Sequence, residues 1–158
     1  MDLSEFSKLF AQRMEEVDNF LRGDDVKDIM GIEAVNHFKQ SFTNEGFTDS
    51  TLEKWAEVER RKPGSSWYKK GRAGATRKIL SGETKLLAES IKYVYVSGGV
   101  RISNYTSYAA VHQFGGAAKI FGKTPFQMKA RPFMGKSRVL KENIENIITD
   151  EIKNILAK

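Results

Sequence analysis

The chain has 158 residues, 40% of them hydrophobic and 29% charged, with a net charge of +6; this fits one globular domain that can hold a core without covalent staples. The absence of cysteine excludes a disulfide scaffold, a thiol nucleophile and any metal site built on thiolates. The charge is uneven: residues 54–78 carry nine basic and two acidic side chains, residues 119–141 seven basic and none acidic, and residues 1–53 five basic against twelve acidic. That polarity points to nucleic-acid contact or to association between copies of the chain, beside the plainer reading of a solvated lysine-rich surface.

Leu3, Phe6, Leu9, Phe10, Met14, Val17, Phe20 and Leu21 recur at steps of three and four, which predicts an amphipathic helix ending at Gly23. Asp24 or Asp25 caps a second helix with Val26, Ile29, Met30, Val35, Phe38 and Phe42 on its apolar side and Gly31 as its weak point. Together they predict a helical hairpin over 1–43. Thr43 to Gly46 reads as a turn, and 60–78 as a basic exposed loop that carries Arg60, Arg61, Lys62, Trp67, Tyr68, Lys69, Lys70 and Arg72. A short third helix is expected from Gly82 to Ile91, with Leu86, Leu87 and Ile91 facing inward.

The period then changes. Tyr93 to Val96 and Val100 to Ser103 flank Ser97-Gly98-Gly99, a hairpin signal. Tyr105 to Phe114 predicts one or two helical turns stopped by Gly115 and Gly116. Residues 119–130 read as a loop or irregular strand, and Arg131-Pro132 as a rigid lead-in that drops Phe133 into the core. Val139 through Leu156 predict a C-terminal helix over 139–157. The expectation is a single α+β domain over 1–158, with amphipathic helices packed on a small antiparallel sheet and a long C-terminal helix. Two strands make no stable sheet alone, so further strands are expected near 119–128 or 131–134, or from a neighbouring subunit. No stretch approaches the ~18 apolar residues of a membrane span, and the start of the chain lacks a basic-then-apolar leader, so the chain reads as soluble, without a cleaved signal.

The tests for chemistry are mostly negative. His37 follows Glu33 by one helical turn but has no second ligand cluster, and catalysis by His112 would need a nucleophile and an orienting carboxylate, whereas the nearest acidic side chains in sequence are Glu89 and Glu142. Gly71 to Lys78 lacks the ending of a phosphate-binding loop. Trp67 and Tyr68 beside Lys69, Lys70 and Arg72 suit either stacking on single-stranded nucleic acid or anchoring a protein interface.

Ser41-Phe42 with Glu45-Gly46-Phe47, Trp55, Ile79-Leu80 before Gly82 and Leu86, then Tyr108 through His112-Gln113-Phe114-Gly115-Gly116, and finally Ala130-Arg131-Pro132-Phe133-Met134-Gly135 resemble, in that order, the tailed-bacteriophage virion morphogenesis family of tail-completion proteins. The resemblance departs from the family's usual pattern at Leu80 to Leu86, where Lys85 interrupts. It implies a structural, non-enzymatic virion protein without cofactor, in the tail or neck of the particle and assembled in the bacterial cytoplasm. It implies a homo-oligomeric ring, with six subunits expected, that joins the tail tube to the head connector with DNA passing through. His112 to Gly116 and Arg131 to Phe133 then serve as architecture, and the 60–78 loop as partner contact. The alternative is a basic DNA-binding module that uses the Trp67 and Tyr68 loop.

Overall fold

A computed structural model describes residues 2–69, 73–120 and 122–158; the side chains of Trp67, Ala73 and Ile120 lie outside that description. The fold is α+β, and its axis is a helix buried on several sides. Helix α1 (Leu3–Arg22) leads through extended Gly23 into α2 (Asp24–Asn44). Around α2, the described residues form three separate antiparallel hairpins: β1 (Gly46–Thr48) with β2 (Leu52–Lys54), β3 (Ile91–Val96) with β4 (Gly99–Asn104), and β5 (Gly116–Ile120) with β6 (Thr124–Met128). Short helices α3 (Ser66–Lys69), α4 (Leu86–Glu89) and α5 (Ala109–Phe114) lie between them, and α6 (Arg138–Ala157) packs back along α2 and α1. The further strands expected near 119–128 are therefore present as β5–β6, which starts earlier at Gly116, whereas 131–134 is not a strand.

A two-stranded hairpin is marginal alone, and two of the three are pinned by side chains. Asp28 on α2 accepts hydrogen bonds from Tyr93 (2.9 Å) and Tyr95 (2.5 Å), which fasten β3 across the helix. These bonds hold the Asp28 carboxyl below its ordinary range and push the Tyr95 phenol up to about 12. The β1–β2 turn docks on the start of α6: Asp49 takes the Arg138 N–H on its carboxylate (2.8 Å) and the Val139 N–H on its carbonyl (3.1 Å). Ser137 completes the cap by accepting from the Leu140 N–H at 3.1 Å. His37 lies 2.9 Å from the Thr48 carbonyl and edge-on to Phe47, so it ties α2 to β1.

The core joins Ala34, Phe38 and Phe42 of α2 to Trp55, Ile79, Leu87, Ile91, Ala109, Phe133 and Leu140. The Phe42 ring is 5.2 Å from Phe133 and 5.7 Å from Trp55, centroid to centroid. The expected helix from Gly82 to Ile91 shrinks to α4, because Lys85 adopts a left-handed conformation before it and Ile91 already belongs to β3. Leu87 and Ile91 are buried, but Leu86 points out at 51% exposure.

Gly31 is a packing site, contrary to its expected part as a weak point. A Cβ there would lie 2.3 Å from Cδ2 of the Tyr93 ring, which rests directly on the α2 backbone. Gly31→Ala gains about 1 kcal/mol of helix propensity but forces the ring away, an overpacking cost of roughly 1–3 kcal/mol. The variant should melt below the parent in a thermal scan. A raised midpoint would show that the ring has room to move.

Candidate functional site

The two densest motifs of the sequence meet in space and form one joint. Helix α5 ends at Gly115, whose φ of 72° is open to glycine and whose Cβ would sit 2.8 Å from both Ala130 N and Met128 O. This close approach lays residues 131–134 alongside the helix end. Gln113 then behaves like a piece of backbone: its side-chain oxygen accepts from the Phe133 N–H (3.0 Å) and the Met134 N–H (3.2 Å), and its amide donates to the Met134 carbonyl (2.7 Å). The Arg131 N–H donates to the His112 carbonyl at 2.7 Å.

Other elements complete the joint. Trp55 Nε1 donates to the Pro132 carbonyl (2.7 Å), and Ser41 Oγ on α2 donates to the Phe133 carbonyl (3.2 Å). The buried Arg131 guanidinium donates twice to the Ala56 carbonyl, at 3.2 and 3.0 Å. Phe133 is only 1% exposed. His112, Gln113, Gly115, Arg131, Pro132 and Phe133 are thus tied into one brace, while Phe114 projects from it at 78% exposure. A largely apolar cavity of about 340 Å³ opens beside Phe114, lined by Ala109, Ala110, Phe133, Met134 and Gly135.

His112 sits against the Tyr108 ring, and its buried Nδ1 has no hydrogen-bond partner among the described residues. Burial, reinforced by the charge of Arg131, lowers its pKa from the ordinary 6.5. The imidazole is therefore held neutral at pH 7.

The basic segment is divided. Arg60 donates to the Gly74 carbonyl and, at 2.9 Å, to the Lys78 carbonyl. Arg61 pairs with Glu45 and, at 3.2 Å, with Glu57; Lys62 pairs with Glu59 at 2.7 Å. Tyr68 and Lys69 are exposed. The Trp67 side chain and residues Lys70 and Arg72 lie outside the described residues.

Glu45 enters the sequence reading only as part of a turn and of the Glu45-Gly46-Phe47 resemblance, with no role of its own, yet much converges on it. It caps α2 in a left-handed conformation at φ 53°, its carbonyl accepts from the Trp55 N–H (2.8 Å), and its carboxylate grips Arg61 and the Ile79 N–H (2.6 Å). Partial burial works against its ionisation, but the Ile79 N–H, Arg61 and Lys78 together hold the carboxyl below its usual value. The available signal was an acidic residue directly before Gly46, where glycine is the common helix terminator.

With this geometry in place, a family model described as the phage virion morphogenesis family matches residues 24–153. No curated protein and no solved structure matches the chain.

The joint can be tested at two of its members. Gln113→Ala leaves two backbone N–H groups without their partner, at roughly 1–3 kcal/mol for each buried group orphaned. Urea unfolding should register a loss of about 3 kcal/mol, and a loss within ~0.5 kcal/mol, as for an ordinary surface change, would show that residues 133–134 are held by other means. For His112, the folded pKa is depressed, so its share of stability is present above pH 6.5 and is lost as pH falls below that value. His112→Gln should flatten the decline in melting temperature between pH 7 and pH 5; an unchanged slope would remove the histidine as its source.

Proposed function

This chain belongs to the phage virion morphogenesis family, and on that premise we propose that it is a tail-completion protein. In this reading identical subunits, six as the expectation, close into a ring that ends the tail and joins it to the head, with DNA passing through the opening. Its place is the tail or neck of the virion, after assembly in the bacterial cytoplasm. The role is architectural and non-catalytic.

The observation that carries the reading is the extent of the family match, whose residues 24–153 include every member of the buried core. The chemistry of the dense motifs supports it, because Gln113 and Arg131 spend their polar groups on backbone that holds the fold together. Charge placement supports self-association. Lys119, Lys123, Lys129 and Lys136 are exposed on and after the β5–β6 hairpin and form no ion pair among the described residues, while residues 1–53 carry the acidic excess. Unlike surfaces meeting head to tail are what closes a ring. No helix among the described residues is long and apolar enough to cross a membrane.

Light scattering at low and high salt tests the reading, with purified tails added in a parallel series. Wild-type protein should form a closed oligomer, alone or on tails, and changing Lys119, Lys123 and Lys129 together to Glu should weaken it at low salt. Protein that stays monomeric at both salts and does not bind tails would overturn the proposal. The rival reading, a basic DNA-binding module that uses the Trp67 and Tyr68 loop, would appear as salt-dependent DNA retention by that monomer.

A further inference from the structure

The first half of α1 is exposed along its whole length. Every residue from 2 to 12 is exposed, including Leu3 at 82%, Phe6 at 55% and Phe10 at 54%. These three stand on the stripe that continues through Met14 to Val17, where the helix becomes buried against the body. An unsupported helix of this length is marginal in water. Yet the start is built with care: Asp2 accepts from the Glu5 N–H at 2.8 Å and Glu5 accepts from the Asp2 N–H at 3.0 Å, a reciprocal cap. The Phe6 and Phe10 rings stack 6.2 Å apart. This segment also precedes residue 24, so it lies outside the body that the family model describes.

An apolar surface of matching character lies elsewhere on the chain. The cavity of about 340 Å³ beside Phe114 is lined mainly by carbon, and Phe114 itself stands open at its rim (78% exposed). Neither surface covers the other in the subunit itself: Leu3, Phe6 and Phe10 are exposed, and so is Phe114 at the cavity rim. Their flanks also differ in charge: the free half of α1 carries Asp2 and Glu5 against Lys8, whereas Lys136, next to the cavity residue Gly135, and Lys129, next to Ala130 at the end of α5, are exposed and form no ion pair among the described residues.

We propose that the α1 stripe of one copy, Leu3, Phe6 and Phe10, docks in the Ala110–Phe114–Met134 cavity of the next, and that this contact is the head-to-tail lock between subunits. It rests on the reading of the protein as a self-assembling ring. The occupant is a second copy because each chain supplies one stripe and one cavity of opposite flanking charge, which is the arrangement that propagates around a ring. Phe6 and Phe10, at about 150–250 Å² each, supply roughly 300–500 Å² of the ~800 Å² that one partner of a specific interface buries, and Phe114 adds to the other side.

The absence of cysteine allows a direct test by disulfide trapping. Ser7 lies between Leu3 and Phe10 on the stripe, and Ala110 lines the cavity. Protein carrying both Ser7→Cys and Ala110→Cys should give a ladder of covalent oligomers on mild oxidation, and a mixture of the two single variants should give a mixed dimer. Adding Phe6→Asp and Phe10→Asp should cut that product at least tenfold while leaving the melting temperature of the body unchanged. A dimer from Ser7→Cys alone would mean that α1 pairs with α1 and would overturn the proposal. Oligomers of the double variant that form by light scattering but give no covalent link on oxidation would overturn this contact and leave the ring reading standing; absence of any oligomer, alone or on tails, would overturn both.

Discussion

Residues 131–134 are neither helix nor strand, yet they bury Arg131 and Phe133, and their backbone must still be hydrogen-bonded. The His112 carbonyl and Gln113 side chain of α5, with Trp55 and Ser41, supply those partners from three places in the chain. This requirement explains residue types that otherwise look arbitrary. A glutamine near the end of a short helix can offer an acceptor and a donor together. The glycine at 115 lets the helix end come within touching distance of Met128 and Ala130. Phe133 can then be fully buried without leaving an unpaired polar group behind it.

The same logic organises the periphery. Among the described residues no hairpin is joined to another, so each depends on what fastens it. Asp28 and the bare backbone at Gly31 hold β3–β4, and Glu45 with Asp49 holds β1–β2 between α2 and α6. The β5–β6 hairpin rests mainly on α5 and carries exposed lysines. Together with the free half of α1, it is the part of the molecule that its own subunit covers least, and this is where a partner has most to gain.

The strongly periodic segments were legible in the sequence. The apolar stripes of α1 and α6 and the Ser-Gly turn between β3 and β4 follow from local spacing alone, and the observed elements lie close to their expected bounds. Long-range pairing was not legible in the same way. Nothing local says that Gln113 seeks residues 133–134, that Glu45 reaches Arg61, or that the Tyr93 ring needs Gly31 bare. Periodicity also marks a stripe as apolar without saying what covers it. The sequence therefore placed Phe6 and Phe10 on an apolar face, and only the structure shows that this face is open. Arg60 and Arg61 teach the converse, because a basic run in sequence conceals which cations are already engaged with carbonyls and carboxylates of their own chain.

The brace leaves Phe114 and the adjoining cavity open, the β5–β6 hairpin carries exposed lysines, and the first half of α1 presents an exposed apolar stripe. Membership of the phage virion morphogenesis family gives these open surfaces their setting. The most direct measurement is electron microscopy of particles made by a phage genome in which this gene carries an early stop codon. The account predicts DNA-filled heads and separate tails that remain unjoined, and recovery of whole particles when the purified protein is added to the lysate. Intact, infectious particles from the mutant genome would contradict it.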